Sequence, residues 1–223
     1  MNDPLMENPL LDLWREHGSP EVQRAADEAF LDWAKANKAG EDRPEPVSPY
    51  QAKRDAQSKY AWAVPSDAAL DRLVKCSPLV EIGAGLGYWA ALLADRGADI
   101  VAYDLHTPAN DGEGRSTNWF PGATKLYYPV QRGGAPRAAD HPDRTLFLCW
   151  PPYGTAMANT ALQAYERAGG RQVVYIGESA EGCTGDGAFH RRLDRRWNEI
   201  DEVDVPQWPG LHDYMTIYER KDG

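Results

Sequence analysis

The chain has 223 residues, 42% of them hydrophobic and 26% charged, with 34 acidic side chains against 24 Lys and Arg and a formal charge of −10. That length accommodates one α/β domain with an N-terminal extension and is short for two independent cores. The charge is dispersed and no basic face stands out, which argues against dedicated nucleic-acid or membrane partners, since phosphate backbones and anionic lipid heads select clustered Lys and Arg. The three cysteines, Cys76, Cys149 and Cys183, are an odd set without metal-ligand spacing. Neither a disulfide framework nor a metal site is expected from them. The N-terminus has no basic and apolar leader pattern and no window approaches a membrane span, so a cytoplasmic protein is the expectation.

In chain order, residues 1–65 read as a helical extension and 66–223 as the main domain. Pro9 to His17 is a short amphipathic helix closed by Gly18. Ser19-Pro20-Glu21 supplies an N-cap, a first-turn proline and an early acid for a second helix, in which Val22, Ala26, Ala29, Phe30 and Trp33 form one apolar stripe. A charged, proline-rich linker covers 41–49. Further helices are expected over about 50–62 and from Ser66 to about Cys76. Strands and helices then alternate: a strand at 79–83, a helix at 87–97, a strand at 99–105, and a long polar stretch from 107 to 123. Beyond it, a short strand is expected at 126–130, a buried strand at 145–150, a helix at 156–168, a strand at 172–178, and a helix at 187–198. Residues 199–205 and 213–220 can pair as strands across Pro206–His212. This pattern implies a doubly wound, mostly parallel seven-stranded α/β sheet with an antiparallel last strand.

The most specific local signal is Glu81-Ile82-Gly83-Ala84-Gly85-Leu86-Gly87, between the first strand and its helix. Glycines there let the backbone bend sharply and bring N–H groups against a ligand. A nicotinamide-binding turn spaces its glycines G-x-G-x-x-G to receive a pyrophosphate. Here the spacing is G-x-G-x-G, and an acid stands two residues before the first glycine, where it suits a cationic group. The second strand ends at Asp104, followed by Leu105, and its carboxylate is placed to accept from a ribose diol.

On EIGAGLG, on Asp104 and on Cys149-Trp150-Pro151-Pro152-Tyr153, the chain resembles the class I S-adenosylmethionine-dependent methyltransferases over roughly residues 60–220. The resemblance implies that S-adenosylmethionine is the cofactor, with Glu81, Gly83, Ala84, Gly85 and Gly87 around its aminoacyl part and Asp104 and Leu105 beside its ribose. Tyr60 and Trp62 lie where an N-terminal segment would fold over it. The family often carries a polar residue before Pro-Pro-Tyr, and Trp150 stands there instead; an indole offers one donor and no acceptor. Trp150, which is also a candidate cofactor contact, and Tyr153 would present flat faces to a planar or cationic substrate, and Glu178 would orient an amine or hydroxyl or act as a base. His190 and His212 are weaker candidates. The expected function is methyl transfer to a small-molecule amine or hydroxyl. An RNA or protein methyltransferase, a non-catalytic cofactor-binding protein and a nicotinamide dehydrogenase are the alternatives. Sequence leaves the acceptor and the oligomeric state open.

Overall fold

The computed structural model describes residues 6–46, 49–106 and 126–221. Four helices precede the sheet: α1 (Pro9–His17), α2 (Pro20–Lys38), α3 (Pro49–Lys59) and α4 (Asp67–Val74). The side chains of Asn8, Ser19 and Ser66 cap α1, α2 and α4 by accepting from the backbone N–H three residues on. Each thereby satisfies one of the amide donors that a helix start leaves free.

Seven strands follow: β1 (Leu79–Ile82), β2 (Ile100–Asp104), β3 (Val130–Arg132), β4 (Thr145–Cys149), β5 (Gln172–Gly177), β6 (Trp197–Asp204) and β7 (Tyr214–Arg220). The connecting helices are α5 (Tyr88–Asp95), α6 (Met157–Ala168) and α7 (Gly187–Arg196), with a 3₁₀ turn at Ala135–Asp140. The sheet order is β3-β2-β1-β4-β5-β7-β6. β7 runs antiparallel to both of its neighbours, and the other strands are parallel to one another. The antiparallel strand brings its N-terminal end to the edge where the parallel strands finish: Tyr214 pairs with Gly177 and with Asp204.

Both faces of the central strands are buried, as parallel sheets require. Leu79 and Phe147 face a cluster shared with Leu70, Leu73, Trp89 and Leu92, whereas Val80, Ile82, Leu146 and Leu148 face Ala158, Leu162, Tyr165 and Phe189. The N-terminal helices join the first of these clusters through Leu10, Leu11, Ala56 and Tyr60. α2 does not bury the stripe that its sequence suggests: Ala36 is its buried residue, and Phe30 and Leu31 are exposed.

Several boundaries differ from those read in the sequence. The strand expected at 126–130 begins only at Val130. Pro129 cannot donate to a ladder, which fits its place before the strand. The strand expected from 199 starts at Trp197, whose indole donates to Glu166 and whose ring stacks on Tyr165. The helix before it consequently ends at Arg196. The polar stretch 107–123 lies outside the described residues. Among the described residues, no helix is long and apolar enough to cross a membrane.

Candidate functional site

Among the described residues, four acidic side chains gather at the edge where the parallel strands end: Glu81 within β1, Asp104 at the end of β2, Glu178 just after β5, and Asp213 just before β7. All four are buried. Their hydrogen bonding separates them into two kinds.

Asp104 and Glu178 hold backbone. Asp104 accepts from Gly85 N–H and His106 N–H, both at 2.8 Å, and so ties the glycine turn to the end of β2. Glu178 accepts from Cys183 N–H at 2.7 Å and His212 N–H at 2.9 Å, joining the loop after β5 to the β6–β7 connection. Burial alone would raise the Glu178 pKa; the hydrogen bonds from Cys183 and His212 outweigh it and hold the carboxyl below its ordinary value. A shallow cleft of about 480 Å³ opens beside Glu178, lined also by Cys183, Gly210 and His212.

Glu81 and Asp213 are different, because each keeps one buried oxygen, Oε2 and Oδ2 respectively, without a hydrogen-bond partner. Burial, with Asp104 nearby, pushes the Glu81 carboxyl up to about 8. Burial likewise lifts Asp213 to about 6, against the bond from Trp150 that favours its charged form. Orphaned acceptors of this kind are costly and mark where a donor belongs.

The glycine turn itself is left-handed at three points, with φ of +83° at Gly83, +55° at Gly85 and +73° at Gly87. A side chain at Gly87 would also meet Val130 at 2.8 Å and Tyr128 at 2.9 Å. Gly83 and Ala84 N–H groups donate to the Tyr103 carbonyl. Leu105 is exposed beyond β2, and Ala84 packs against the core.

The aromatic set falls into two groups. Tyr60 is buried against Tyr88 and Tyr127, with ring centroids 5.2 and 5.9 Å away. Trp62 stacks on Trp150 at 4.8 Å and 21°. Trp150 has a φ of +52°, unusual for a bulky residue, and its indole N–H donates to Asp213 Oδ1 at 2.8 Å. Backbone strain of this kind persists where surrounding contacts enforce it. Tyr153 is 64% exposed. His212 sits with Nδ1 3.7 Å from Glu178, and His190 is buried against the Thr184 carbonyl.

Two residues absent from the sequence reading complete this end. Asp213 is fully buried beneath Trp150. Lys53 of α3 reaches the Pro209 carbonyl at 3.5 Å; burial lowers its pKa, and Asp213, Cys183 and Glu178 oppose that shift. An antiparallel closing strand places its first residues at the carboxyl edge, and that was the available signal for Asp213.

The strand order, with β7 reversed between β5 and β6, decides the fold. It is the class I methyltransferase fold. No protein-family model matches the sequence, and no curated protein sequence matches it. Solved structures with the methyltransferase fold resemble it distantly. Magnesium protoporphyrin IX methyltransferase from Synechocystis PCC 6803, with bound S-adenosylmethionine, is 10% identical with a TM-score of 0.47, over 98% of this chain and 100% of that one. The N-methyltransferase NodS from Bradyrhizobium japonicum WM9 is 12% identical with a TM-score of 0.45, over 70% and 94%. The 1,6-didemethyltoxoflavin-N1-methyltransferase from Burkholderia thailandensis is 16% identical with a TM-score of 0.43, over 100% and 94%.

Proposed function

We propose that the protein is an S-adenosylmethionine-dependent methyltransferase acting on a small-molecule amine or hydroxyl. The observation that carries the reading is the buried, unpartnered Oε2 of Glu81 beside three left-handed glycines. An ammonium group would satisfy that oxygen, whereas a pyrophosphate would be repelled by it. The residues therefore fit this cofactor better than a dinucleotide. Glu81 and the turn from Gly83 to Gly87 would hold its aminoacyl part. Asp104, at the end of β2, would accept from the ribose diol. Tyr60 and Trp62 would close over it from the N-terminal side.

When bound, the cofactor would supply an electrophilic methyl group with a neutral thioether as its leaving group, and the acceptor's surplus proton would go to a base. The chain's own work is then to exclude water, orient the acceptor and provide that base. Trp150 and Tyr153 offer flat surfaces at the ends of β4 and its loop. Glu178, whose oxygens already hold two backbone N–H groups, orients the β6–β7 connection around the acceptor side.

Calorimetric titration tests the cofactor. S-adenosylmethionine and its demethylated product should bind and NAD should not, and Gly85→Leu should abolish binding. Asp104→Ala should weaken it by about ten- to a hundredfold, the equivalent of losing roughly 1.5–3 kcal/mol in bonds to a charged group. An affinity within about twofold of wild type in Asp104→Ala would remove the ribose assignment. Mass spectrometry of a metabolite extract incubated with protein and cofactor then identifies the acceptor as the compound that gains a methyl group.

A further inference from the structure

The acceptor side of the site contains a carboxylate whose environment is built for a donor that the chain does not supply. Asp213 is completely buried, yet only Oδ1 has a partner, the Trp150 indole N–H. Oδ2 has none. Glu178, after β5, accepts from the N–H of His212 beside Asp213 and from Cys183 N–H, so both of its oxygens are on backbone N–H groups. We propose that Asp213 is the residue that binds the methyl acceptor, by accepting an N–H from a small, flat amine seated against Trp62 and Trp150. This rests on the methyltransferase reading for the word acceptor, and on geometry alone for the binding site.

Three observations favour a nitrogen donor. An orphaned carboxylate oxygen is satisfied by a donor and most strongly by a cationic one. Among the described residues, the edge carries four buried acidic side chains, Glu81, Asp104, Glu178 and Asp213, against one partly buried cation, Lys53. Its field therefore selects positive over neutral or negative ligands. The Trp150 indole meets the carboxylate through its N–H, its ring stacks on Trp62, and both rings are only partly buried. An aromatic face beside a carboxylate is suited to an ammonium through cation–π and charge contacts together. The left-handed backbone of Trp150 belongs to the same device, since it sets the indole N–H against Asp213 Oδ1 while its amide donates to the Ile176 carbonyl.

The groups facing Asp213 are Lys53 from α3, Glu178 and Tyr175 from the β5 side, Cys149 at the end of β4, Cys183 in the loop after β5, and His212 next in sequence. Burial raises both cysteines and Tyr175, and Glu178 is held low. Asp213 is lifted to about 6, and a variant of its sequence neighbour His212 serves as the control.

The Trp150 indole N–H is a direct reporter, identified by NMR as the indole resonance missing from Trp150→Phe. In wild-type protein it should titrate with a midpoint near 6, and His212→Gln should keep that midpoint. Benzylamine, used as the probe, should shift the resonance above that midpoint and bind about tenfold or more tightly than benzyl alcohol. Below the midpoint the preference should vanish. Asp213→Asn should remove both the titration and the amine preference. If that variant fails to fold, the wild-type pH and amine–alcohol comparisons decide alone. Equal responses to amine and alcohol, no response to the amine at any pH, or an amine preference unchanged at pH 5 would each overturn the proposal. Cofactor titration of the wild-type protein is read separately, so loss of the cofactor reading and loss of this one are distinguishable.

Discussion

Glu81 makes the pH behaviour of the site calculable in sign. Its folded pKa, about 8, lies above the ordinary 4.5, so between those values the folded chain holds a proton that the unfolded chain has released. Stability from this group is therefore greatest at low pH and declines as pH rises through that window. A bound ammonium reverses the balance by favouring the carboxylate. Cofactor binding at pH 7 should then expel a proton from Glu81. Calorimetry in two buffers of different ionisation enthalpy should give different apparent heats for wild type and closer heats for Glu81→Gln. Trp150 supplies a second residue-scale prediction. Trp150→Phe keeps a ring against Trp62 but removes the donor to Asp213 Oδ1, leaving neither carboxylate oxygen with a partner, at a cost of about 1–3 kcal/mol in denaturant unfolding. Glu81, the glycines and Asp104 were legible in the sequence because their chemistry is local: a strand end, a turn and the next strand end. The Trp150–Asp213 pair was not, because it joins residues 63 apart through a reversed strand and a side-chain rotamer, neither of which any spacing encodes.

At the scale of elements, the turn from β1 to α5 is held from two sides. Its first half hangs on the Tyr103 carbonyl and Asp104, and its second half abuts Tyr128 and Val130 leading into β3. Gly87→Ala combines a left-handed residue, costing about 1–2 kcal/mol, with contact against both side chains. It should lower thermal stability and loosen the start of β3 together, which hydrogen exchange at Val130 and Gln131 would show. The strand–helix alternation from residue 79 onward was readable because apolar strand runs and amphipathic helices have different periods. Element ends were less so. Pro129 and Trp197 shifted them by one to several residues, each through a backbone or ring contact rather than through composition.

Across the whole molecule, α1 and the end of α3 are part of the main core, and α2 is not. Asn8 donates to the Pro65 carbonyl and accepts from Tyr88, and Leu10 is fully buried beside the helices that flank the sheet. Leu10→Ala should cost about 2–5 kcal/mol, as for a core leucine, measured by urea unfolding. A loss under 1 kcal/mol would mean that α1 is a loosely attached flap. Burial of α1 could be read from its amphipathic pattern, but its partner could not, since Tyr88 lies 80 residues downstream.

The place of β7 has a consequence for synthesis. β6 has β7 as its sheet neighbour, and β7 inserts between β6 and β5. Until residues 214–220 are made, the β6 segment has no strand of its sheet to pair with. The glycine turn, by contrast, finds Tyr103, Asp104, Tyr128 and Val130 before residue 131 and Met157 of α6 well before the closing strand. The partners of the cofactor side are thus synthesised before those of the Asp213 side, which is complete in sequence only with the closing strand.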